Sequence, residues 1–272
     1  MTQAPRVPIA HRDAAARLAA TQSDLFWIPD DVRVLRREGL LALSCPRPVS
    51  HLNIGLRADL PEPALERAVA EARATFAPRS GRWFVPDLFD TRPLERALAA
   101  QRFVEGHTYE ARVRSPEAFV ARPRADAVVR RVEDLAGFRD FVSVTAAAFG
   151  VPARYSDEEL LAELPRATGP EARSRRWVVY DGGRPVCSGG LNLYPDLSIG
   201  FLWAGGTVPD ARGRGFYSAI VAARMAELRG LGLELAGVYA RVETSAPIVA
   251  AQGFEKVGAM TYWADVDAAL PP

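Results

Sequence analysis

A short loop rich in glycine and arginine, set between an extended segment and a helical one, constrains this chain more than any other feature. The loop begins after Val208, and Gly213 and Gly215 allow its backbone amides to turn inward without a side chain in the way. Arg212 and Arg214 add positive charge at the start of the helix, where the helix dipole is also positive. Backbone amides, dipole and guanidinium groups in one small volume are typical of a pyrophosphate-binding site.

The residues on either side of the loop predict its structural context. Residues 198–208 form an extended segment with Gly205 and Gly206 near its end, and glycine inside a strand marks a bulge or a close backbone approach. The segment after the loop carries apolar residues at helical spacing, namely Tyr217, Ile220, Val221, Met225 and Leu228. The sequence therefore predicts a strand, a phosphate-binding loop and an amphipathic helix, in that order.

The bulk composition limits the size of the domains and the kind of partner. With 272 residues the chain is long for one domain and sufficient for two, each with its own core. It is 49% hydrophobic and 25% charged, and a formal net charge of +1 argues against general binding to nucleic acid or to a membrane surface. A charged-then-apolar leader and a membrane-length apolar run are not visible, so we expect a cytoplasmic protein.

Cysteine and histidine usage agrees with that expectation. Cys45 and Cys187 are far apart in the chain, so we expect reduced thiols, with Cys187 in the core. His11, His51 and His107 are scattered and lack the spacing of a zinc site. We therefore expect neither a disulfide nor a metal.

The two halves of the chain repeat one order of predicted elements. Each half reads as helix, three strands, helix, strand, helix, strand, once an extra strand predicted at 128–132 is set aside. Residues 99–103 (AAQRF) and 250–254 (AAQGF) occupy the same helix-to-strand junction. The proline-bearing segment 116–126 reads as a linker. We therefore expect an internal duplication, with one domain over 1–122 and a second over 123–272.

The loop and its surroundings resemble the GNAT superfamily of acyl-CoA-dependent N-acyltransferases. The superfamily signature, Gln/Arg-x-x-Gly-x-Gly/Ala at the start of a helix, is matched over 212–216, with Tyr217 at the last position, where a small residue is usual. Thr207 stands where valine is more frequent, and the pair Gly-Phe at 253–254 follows late in the chain as in the superfamily. The resemblance is good over about 125–262, and the whole chain looks like a tandem arrangement.

This resemblance implies an α+β fold with two GNAT-like domains, each a mixed, mostly antiparallel sheet flanked by helices. It also implies that the C-terminal copy alone carries the cofactor motif. The corresponding helix of the first copy begins within 59–68 (DLPEPALERA) and has no glycine loop. We therefore expect a first domain that has kept the fold and lost the phosphate site.

The resemblance further implies acetyl-CoA, a coenzyme A thioester, as co-substrate. In GNAT enzymes the strand before the loop separates from its neighbour, and the pantetheine arm binds to the exposed backbone edge like an added strand. A backbone N–H near Val208 would polarise the thioester carbonyl. The implied cofactor-binding residues are Gly206, Thr207 and Val208 in the strand, and Arg212, Gly213, Arg214, Gly215, Phe216, Tyr217 and Ser218 in the loop and the helix start.

Proton transfer needs a base for the attacking amine and an acid for the departing thiolate. Glu243, just past a predicted strand, is the candidate base, and Tyr194 is the candidate acid with Tyr239 as its alternative. GNAT enzymes often place a tyrosine acid four residues before the glycine of the late Gly-Phe pair, and this chain has Val249 there. The acid has therefore moved or is missing.

Three functions follow from these residues. The first is an N-acetyltransferase that moves an acetyl group from acetyl-CoA to a small-molecule or peptide amine by direct attack. The second is a non-catalytic acyl-CoA-binding or regulatory protein, favoured by Val249 and by the degenerate first half. The third is a protein that binds another nucleotide through its phosphates. We expect no nucleic-acid or membrane partner, and a monomer or a homodimer.

Overall fold

The computed structural model describes residues 11–46, 52–76, 80–121, 126–153, 155–169 and 171–266. These residues form two compact units, one from 11–113 together with 239–266, and one from 114–238. The last part of the chain is thus grouped with the first unit. The predicted domain boundary at residue 122 refers to the duplicated sequence and stays a prediction, because the packing divides the chain differently.

The described residues contain seven α-helices and eleven β-strands. In chain order they are α1 (His11–Ala20), β1 (Arg33–Arg37), β2 (Leu40–Ser44), β3 (Ile54–Ala58), α2 (Glu62–Phe76), β4 (Arg82–Pro86), α3 (Arg92–Ala100), β5 (Phe103–Arg114), β6 (Val128–Arg131), α4 (Leu135–Phe149), α5 (Asp157–Thr168), β7 (Ser174–Asp181), β8 (Arg184–Tyr194), β9 (Ile199–Thr207), α6 (Phe216–Gly230), β10 (Leu235–Arg241), α7 (Ser245–Ala251) and β11 (Glu255–Asp265). The order of helices and strands predicted from the sequence is confirmed. The predicted first helix begins at Pro8, and its first three residues lie outside the described part.

Each unit contains a mixed sheet with one parallel strand pair. The strand order is β1-β2-β3-β4-β11-β5 in the first unit and β10-β9-β8-β7-β6 in the second, with residues 239–241 of β10 counted in the first unit. Neighbouring strands are antiparallel except β3–β4 and β9–β10, and one helix, α2 or α6, connects the two strands of each parallel pair. The predicted α+β class, with two mixed and mostly antiparallel sheets, is confirmed.

Side-chain caps fix the ends of the two helices that cover β7, β8 and β9. The Asp134 carboxylate accepts the N–H of Gly137 at 2.7 Å at the start of α4, and Gly150, with a φ of 65°, ends that helix. Helix α5 begins with a capping box in which Ser156 and Glu159 exchange side-chain and backbone hydrogen bonds. These local signals determine where α4 stops, which matters for the site.

Apolar side chains fill a core in each unit. In the first unit α2 and α3 pack on the sheet around the fully buried Trp83. In the second unit α4 and α5 pack against β7 around Phe138 and Phe141, whose rings meet edge to face at 6.4 Å. Burial of such side chains is the main favourable contribution to the stability of each unit.

Three further observations concern the cysteines, the groups that could hold a metal, and the helices that could cross a membrane. Cys45 and Cys187 are both free and buried. Within the described ranges, no three or more His, Cys, Asp and Glu side chains are grouped so as to hold a metal ion. Nor does any helix in those ranges combine the length and the apolar character that crossing a bilayer requires.

The two helix-to-strand junctions predicted to be equivalent share their backbone geometry. Arg102 follows α3 and Gly253 follows α7, with φ angles of 65° and 82°. Each amide donates to the carbonyl three residues earlier, at 3.0 and 2.8 Å. Phe103 and Phe254 come next, and both are buried. This shared geometry supports the internal duplication.

Arg102 provides a test of that equivalence, because a side chain in the left-handed region is strained and glycine is not. We expect Arg102→Gly to raise the free energy of unfolding by about 0.5–1 kcal/mol. The control Ala99→Gly, at an exposed position inside α3, should lower it by about 1 kcal/mol. Denaturant titrations measure both effects, and a loss of stability in Arg102→Gly would contradict the equivalence.

Candidate cofactor-binding site

Strand β9 loses its partner on one edge before it reaches the loop. It pairs with the parallel strand β10 over only three residue pairs, the last of which joins Phe201 to Gly237. On its other edge β9 stays paired with β8 as far as Thr207, which lies opposite Cys187. Residues 202–207 therefore have one edge with which no described residue of β10 is in register. An extended ligand can add to such an open edge as a further strand.

A β-bulge changes the direction of the backbone within this open stretch. The register between β8 and β9 shifts between Ser188 and Gly190, so that Ala204 and Gly205 face a single residue of β8. Ala204 has a φ of 45°, in the left-handed region that alanine rarely adopts. The glycines of β9 predict a bulge here, and the residue that carries the strained conformation is the neighbouring alanine.

The hydrogen-bond alternation of β9 decides which amide faces the open edge. The Val208 N–H donates to the Val186 carbonyl at 3.0 Å and is therefore directed to β8. Because successive residues of a strand direct their polar groups to opposite edges, Thr207 faces the open edge and Gly206 faces β8. Of the amides near Val208, the one that faces the open edge is therefore that of Thr207, and not that of Val208 itself; its role as a donor to a thioester stays a prediction.

The absence of a side chain at Gly206 makes room for helix α4. A Cβ on Gly206 would lie 2.8 Å from the Cβ of Ala148 and 3.3 Å from the ring of Phe149. Close packing of the helix end on the strand thus explains this glycine without a ligand. The assignment of Gly206 to the pantetheine arm stays a prediction.

Gly205 makes room for Tyr217 on the opposite face of the strand. A Cβ on Gly205 would lie 3.1 Å from Cε2 of Tyr217. Adjacent strand residues point to opposite faces, so α4 and α6 cover the two faces of β9. The Tyr217 ring lies under the strand, where burial raises the pKa of its hydroxyl. A tyrosine is therefore compatible with the loop at the position where the superfamily has a small residue.

The loop has the backbone geometry that its glycines predict. Gly213 and Gly215 have φ angles of 72° and 87°, and α6 begins directly after them at the buried residue Phe216. A Cβ on Gly213 would meet no atom within 4 Å, so the space beside the loop is open. The first amides of α6, in a turn that includes Ser218, point along the helix axis towards its N-terminal end. This arrangement suits an anion.

The two loop arginines bind protein groups, which modifies the role predicted for their charge. Arg212 donates from Nε to the Thr207 carbonyl at 3.2 Å and from Nη2 to the Ala148 carbonyl at 2.9 Å. It thereby connects the loop to the C-terminal end of α4. Arg214 forms an ion pair with Asp181 at 2.7 Å. The guanidinium groups thus bind protein atoms, and the predicted phosphate site depends mainly on the backbone amides of the loop.

The side chain of Thr207, at the end of β9, also forms a hydrogen bond within the sheet. Its hydroxyl donates to Sγ of Cys187 at 3.3 Å across the β8–β9 pair. Burial raises the pKa of the Cys187 thiol to about 11, so the sulfur stays protonated at neutral pH. This agrees with the prediction that Cys187 is a core residue and not a nucleophile.

Glu243, the candidate base, is an exposed residue that belongs to the first unit. A backbone hydrogen bond, and after it the Arg241 guanidinium with Nε at 3.2 Å, hold the pKa of the Glu243 carboxyl below its ordinary value. A carboxylate with a lowered pKa is a weaker proton acceptor. The surroundings of Glu243 therefore disfavour the role predicted for it.

Tyr194, the candidate acid, is not brought together with the loop. It lies opposite Ile199 at the far end of the β8–β9 pair, eight residues along β9 from Thr207. That is a separation of about 25 Å along the strand, too far for proton transfer. The alternative acid, Tyr239, belongs to the first unit, where burial raises the pKa of its hydroxyl. Val249, in the same unit, is a buried core residue.

A buried arginine that is not predicted from the sequence lies beneath the open strand. Arg224, on α6, is 1% exposed and donates to the carbonyls of Ile220 and Gly190, both at 3.2 Å. Its Nη2 and the Tyr217 hydroxyl each lie 3.4 Å from where a Cβ on Gly205 would be. The available signal was its position, since it stands seven residues after Tyr217 on the apolar stripe.

Comparison with known proteins supports the fold. No known protein family and no curated protein sequence matches the chain. Among solved structures, the chain is similar to a GCN5-related N-acetyltransferase from Kribbella flavida, with a TM-score of 0.70 and 16% identity over 97% of this chain and 98% of that one. A GCN5-related N-acetyltransferase from Sphaerobacter thermophilus has a TM-score of 0.59 and 15% identity, over 95% and 94% of the two chains.

A third similar structure has a tandem architecture. It is a tandem GNAT protein from the clavulanic acid biosynthesis pathway, with a TM-score of 0.55 and 14% identity over 96% of this chain and 89% of that one. At sequence identities of 14–16%, structural similarity is evidence of a shared fold alone. The chain therefore has the GNAT superfamily fold over nearly its whole length, and the resemblance identified from the loop is confirmed at that level.

The packing of α4 on β9 leads to a stability prediction. Gly206→Ala places a Cβ against Ala148, so we expect the free energy of unfolding to fall by about 1–3 kcal/mol. The double variant Gly206→Ala, Ala148→Gly removes the clashing methyl group, and its loss should be smaller than the sum of the two single losses. Denaturant unfolding of all three variants measures this coupling. If the loss of stability in the double variant equals the sum of the losses in the two single variants, the close packing of Ala148 on Gly206 is contradicted.

Proposed function

We propose that this protein is an acyltransferase that moves an acetyl group from acetyl-CoA to an amine by direct attack. The observation that supports the proposal is the continuity of the open edge and the loop. Residues 202–207 offer the edge, and after the short 3₁₀ turn Pro209–Ala211 the chain enters the loop at Gly213. In coenzyme A an extended pantetheine arm and a diphosphate follow one another in the same way, so the residues present fit this molecule.

In this proposal the two parts of the site bind two parts of the carrier. The backbone of Thr207 pairs with the pantetheine arm at the open edge. The amides of Gly213, Gly215 and Tyr217, together with the positive end of the α6 dipole, bind the diphosphate. Arg212 keeps the loop in position through its bonds to two carbonyl groups.

The reaction forms a bond between the amine nitrogen and the acetyl carbon and breaks the bond between that carbon and sulfur. The amine proton leaves, and the thiolate takes up a proton. Negative charge develops on the carbonyl oxygen during attack, and an amide N–H at the open edge, that of Thr207, would stabilise it. One such donor changes rates by about 100- to 1,000-fold in comparable sites.

The loop assignment is tested by a pair of glycine substitutions. Gly213 and Gly232 both have a positive φ, and a Cβ on either would meet no atom within 4 Å, so both substitutions strain the backbone similarly. Gly213→Glu also places a carboxylate where the diphosphate is proposed to bind, and should weaken coenzyme A binding at least about tenfold by calorimetry.

The control Gly232→Glu lies beyond the other end of α6, a helix of 15 residues that spans about 22 Å. It should change the affinity less than about twofold. Equal affinities in wild type and Gly213→Glu would remove the loop from the proposal.

The surroundings of Glu243 lead to a prediction about pH dependence. Its pKa is lowered, so this group stays ionised, and titrates no proton, between about pH 6 and pH 9. We expect Glu243→Gln to reduce kcat/KM for amine acetylation less than about tenfold and to leave the shape of the profile in that range unchanged. A reduction of about 100-fold or more would instead establish Glu243 as the base.

A second function, non-catalytic binding of an acyl-CoA, is favoured by two observations. Val249 is a buried apolar residue where a tyrosine acid is often found, and Tyr194 lies far along β8 from the loop. Calorimetric binding of acetyl-CoA without coenzyme A release across a broad set of amines would support this alternative. Preference for ATP or NAD over coenzyme A would favour the third function, binding of another nucleotide.

The acceptor and the cellular setting are part of the same proposal. We take the acceptor to be a small-molecule or peptide amine, and the protein to be a cytoplasmic monomer or homodimer without nucleic-acid or membrane partners. The free and buried thiols of Cys45 and Cys187 agree with a reducing compartment.

A further inference from the structure

Three residues in one row across β7, β8 and β9 bring an arginine next to the bulged strand. Arg176 of β7 lies opposite Gly190 of β8, and Gly190 lies opposite Trp203 of β9. A Cβ on Gly190 would lie 2.2 Å from Cε2 of the Trp203 indole, so the indole leans across the glycine. It thereby reaches Arg176, whose guanidinium carbon is 5.2 Å from the indole ring centre.

Aromatic rings surround this guanidinium. Its carbon lies 4.8 Å from the ring centre of Phe138 and 5.9 Å from that of Phe141, both on α4, in addition to the Trp203 contact. Cation–π attraction of this kind holds an arginine in place while leaving the N–H groups in the guanidinium plane available for hydrogen bonds.

The polar contacts of Arg176 are few. Its Nη1 donates to the Ser174 carbonyl at 3.5 Å, and no carboxylate of the described residues lies within ion-pair distance of it. Glu163 is the carboxylate that acts on it most strongly, and that group is itself paired with Arg166 at 3.5 Å. The guanidinium is thus a partly buried cation, held by aromatic rings and without a bound anion in the described part of the protein.

Trp203 connects this cation to the proposed reaction site, because the strained bulge residue Ala204 follows it directly on the open stretch of β9. We propose that Arg176 binds a carboxylate of the acceptor, so that the acceptor is an amine that also carries a carboxylate. This inference rests on the proposed acetyl transfer. The planar guanidinium matches a carboxylate through two parallel hydrogen bonds, and the rings beside it suit an acceptor with an apolar body.

The charge needed for this role is present at neutral pH. Burial lowers the pKa of Arg176 to about 10, partly offset by Glu163 and then by Tyr155, so the group remains protonated in the physiological range. Among the described residues, no ion pair of Arg176 has to break before a carboxylate can bind it.

The test measures carboxylate binding without any need for turnover. The probe is 4-fluorobenzoate, followed by fluorine NMR, with 4-fluorobenzamide as its uncharged counterpart. We expect the wild type to bind the benzoate at millimolar concentration and to bind the amide at least about tenfold more weakly. Arg176→Gln should weaken benzoate binding at least about tenfold, and Arg176→Lys should retain part of it.

The matched control is Arg130→Gln. Arg130 lies on the same sheet, over the ring of Tyr180 at 5.2 Å, so its loss removes an equal charge and a similar cation–π contact. This control should leave benzoate binding within about twofold of wild type. Lack of benzoate binding by the wild type up to about 20 mM, or an equal effect of the two substitutions, would overturn the proposal.

A second measurement separates this inference from the proposed function. In a coenzyme A release assay with amino acids and their amides, Arg176→Gln should lower kcat/KM for the acids at least about tenfold more than for the amides. An equal reduction for both would overturn the acceptor assignment while acetyl transfer stands. If no amine releases coenzyme A and acetyl-CoA fails to bind, acetyl transfer falls, and the acceptor assignment falls with it.

Discussion

The early end of the pairing between β9 and β10 is the constraint on which the rest of the site depends. A parallel strand pair buried in a sheet normally satisfies backbone groups along its length. Here the pairing ends at Phe201, and β9 continues to Thr207 with one edge open. In the first unit, six residues (56–61) lie between the last parallel-paired residue, Gly55, and helix α2, whereas fourteen (202–215) lie between Phe201 and α6. The open edge and the loop occupy that additional length.

Close packing of α4 and α6 on the two glycines of β9 stabilises the backbone of the open stretch. Two adjacent glycines, Gly205 and Gly206, admit Tyr217 from α6 on one face and Ala148 from α4 on the other. The buried Arg224 supports the same stretch through its hydrogen bond to the Gly190 carbonyl, and burial lowers the pKa of its guanidinium, an effect that Tyr217 partly offsets. The two glycines therefore allow the close packing of both helices, in addition to any role in binding a ligand. The strained backbone conformation is that of Ala204, which lies between Trp203 and the two glycines.

Local features were predictable from the sequence, and long-range ones were not. The loop, its two positive-φ glycines and the helix after it depend on neighbouring residues, so the pattern identifies them. The bonds of Arg212 join it to Ala148, 64 residues away, and no local pattern reports such a contact. The residue type of Tyr194 suits an acid, but the antiparallel register of β8 and β9 places it at the end remote from the loop. The sequence pattern does not predict the burial of Arg224, because a charged residue beside an apolar stripe is usually solvated.

Residue-resolved amide hydrogen exchange, with and without coenzyme A, tests the central claim most directly. We expect the ligand to slow exchange at the amides of Thr207, Gly213 and Gly215, which face the open edge or the loop. Exchange at Gly206 should change little, because its amide is already directed to β8. Unchanged exchange at Thr207 and at both loop glycines in the presence of saturating coenzyme A would contradict the account.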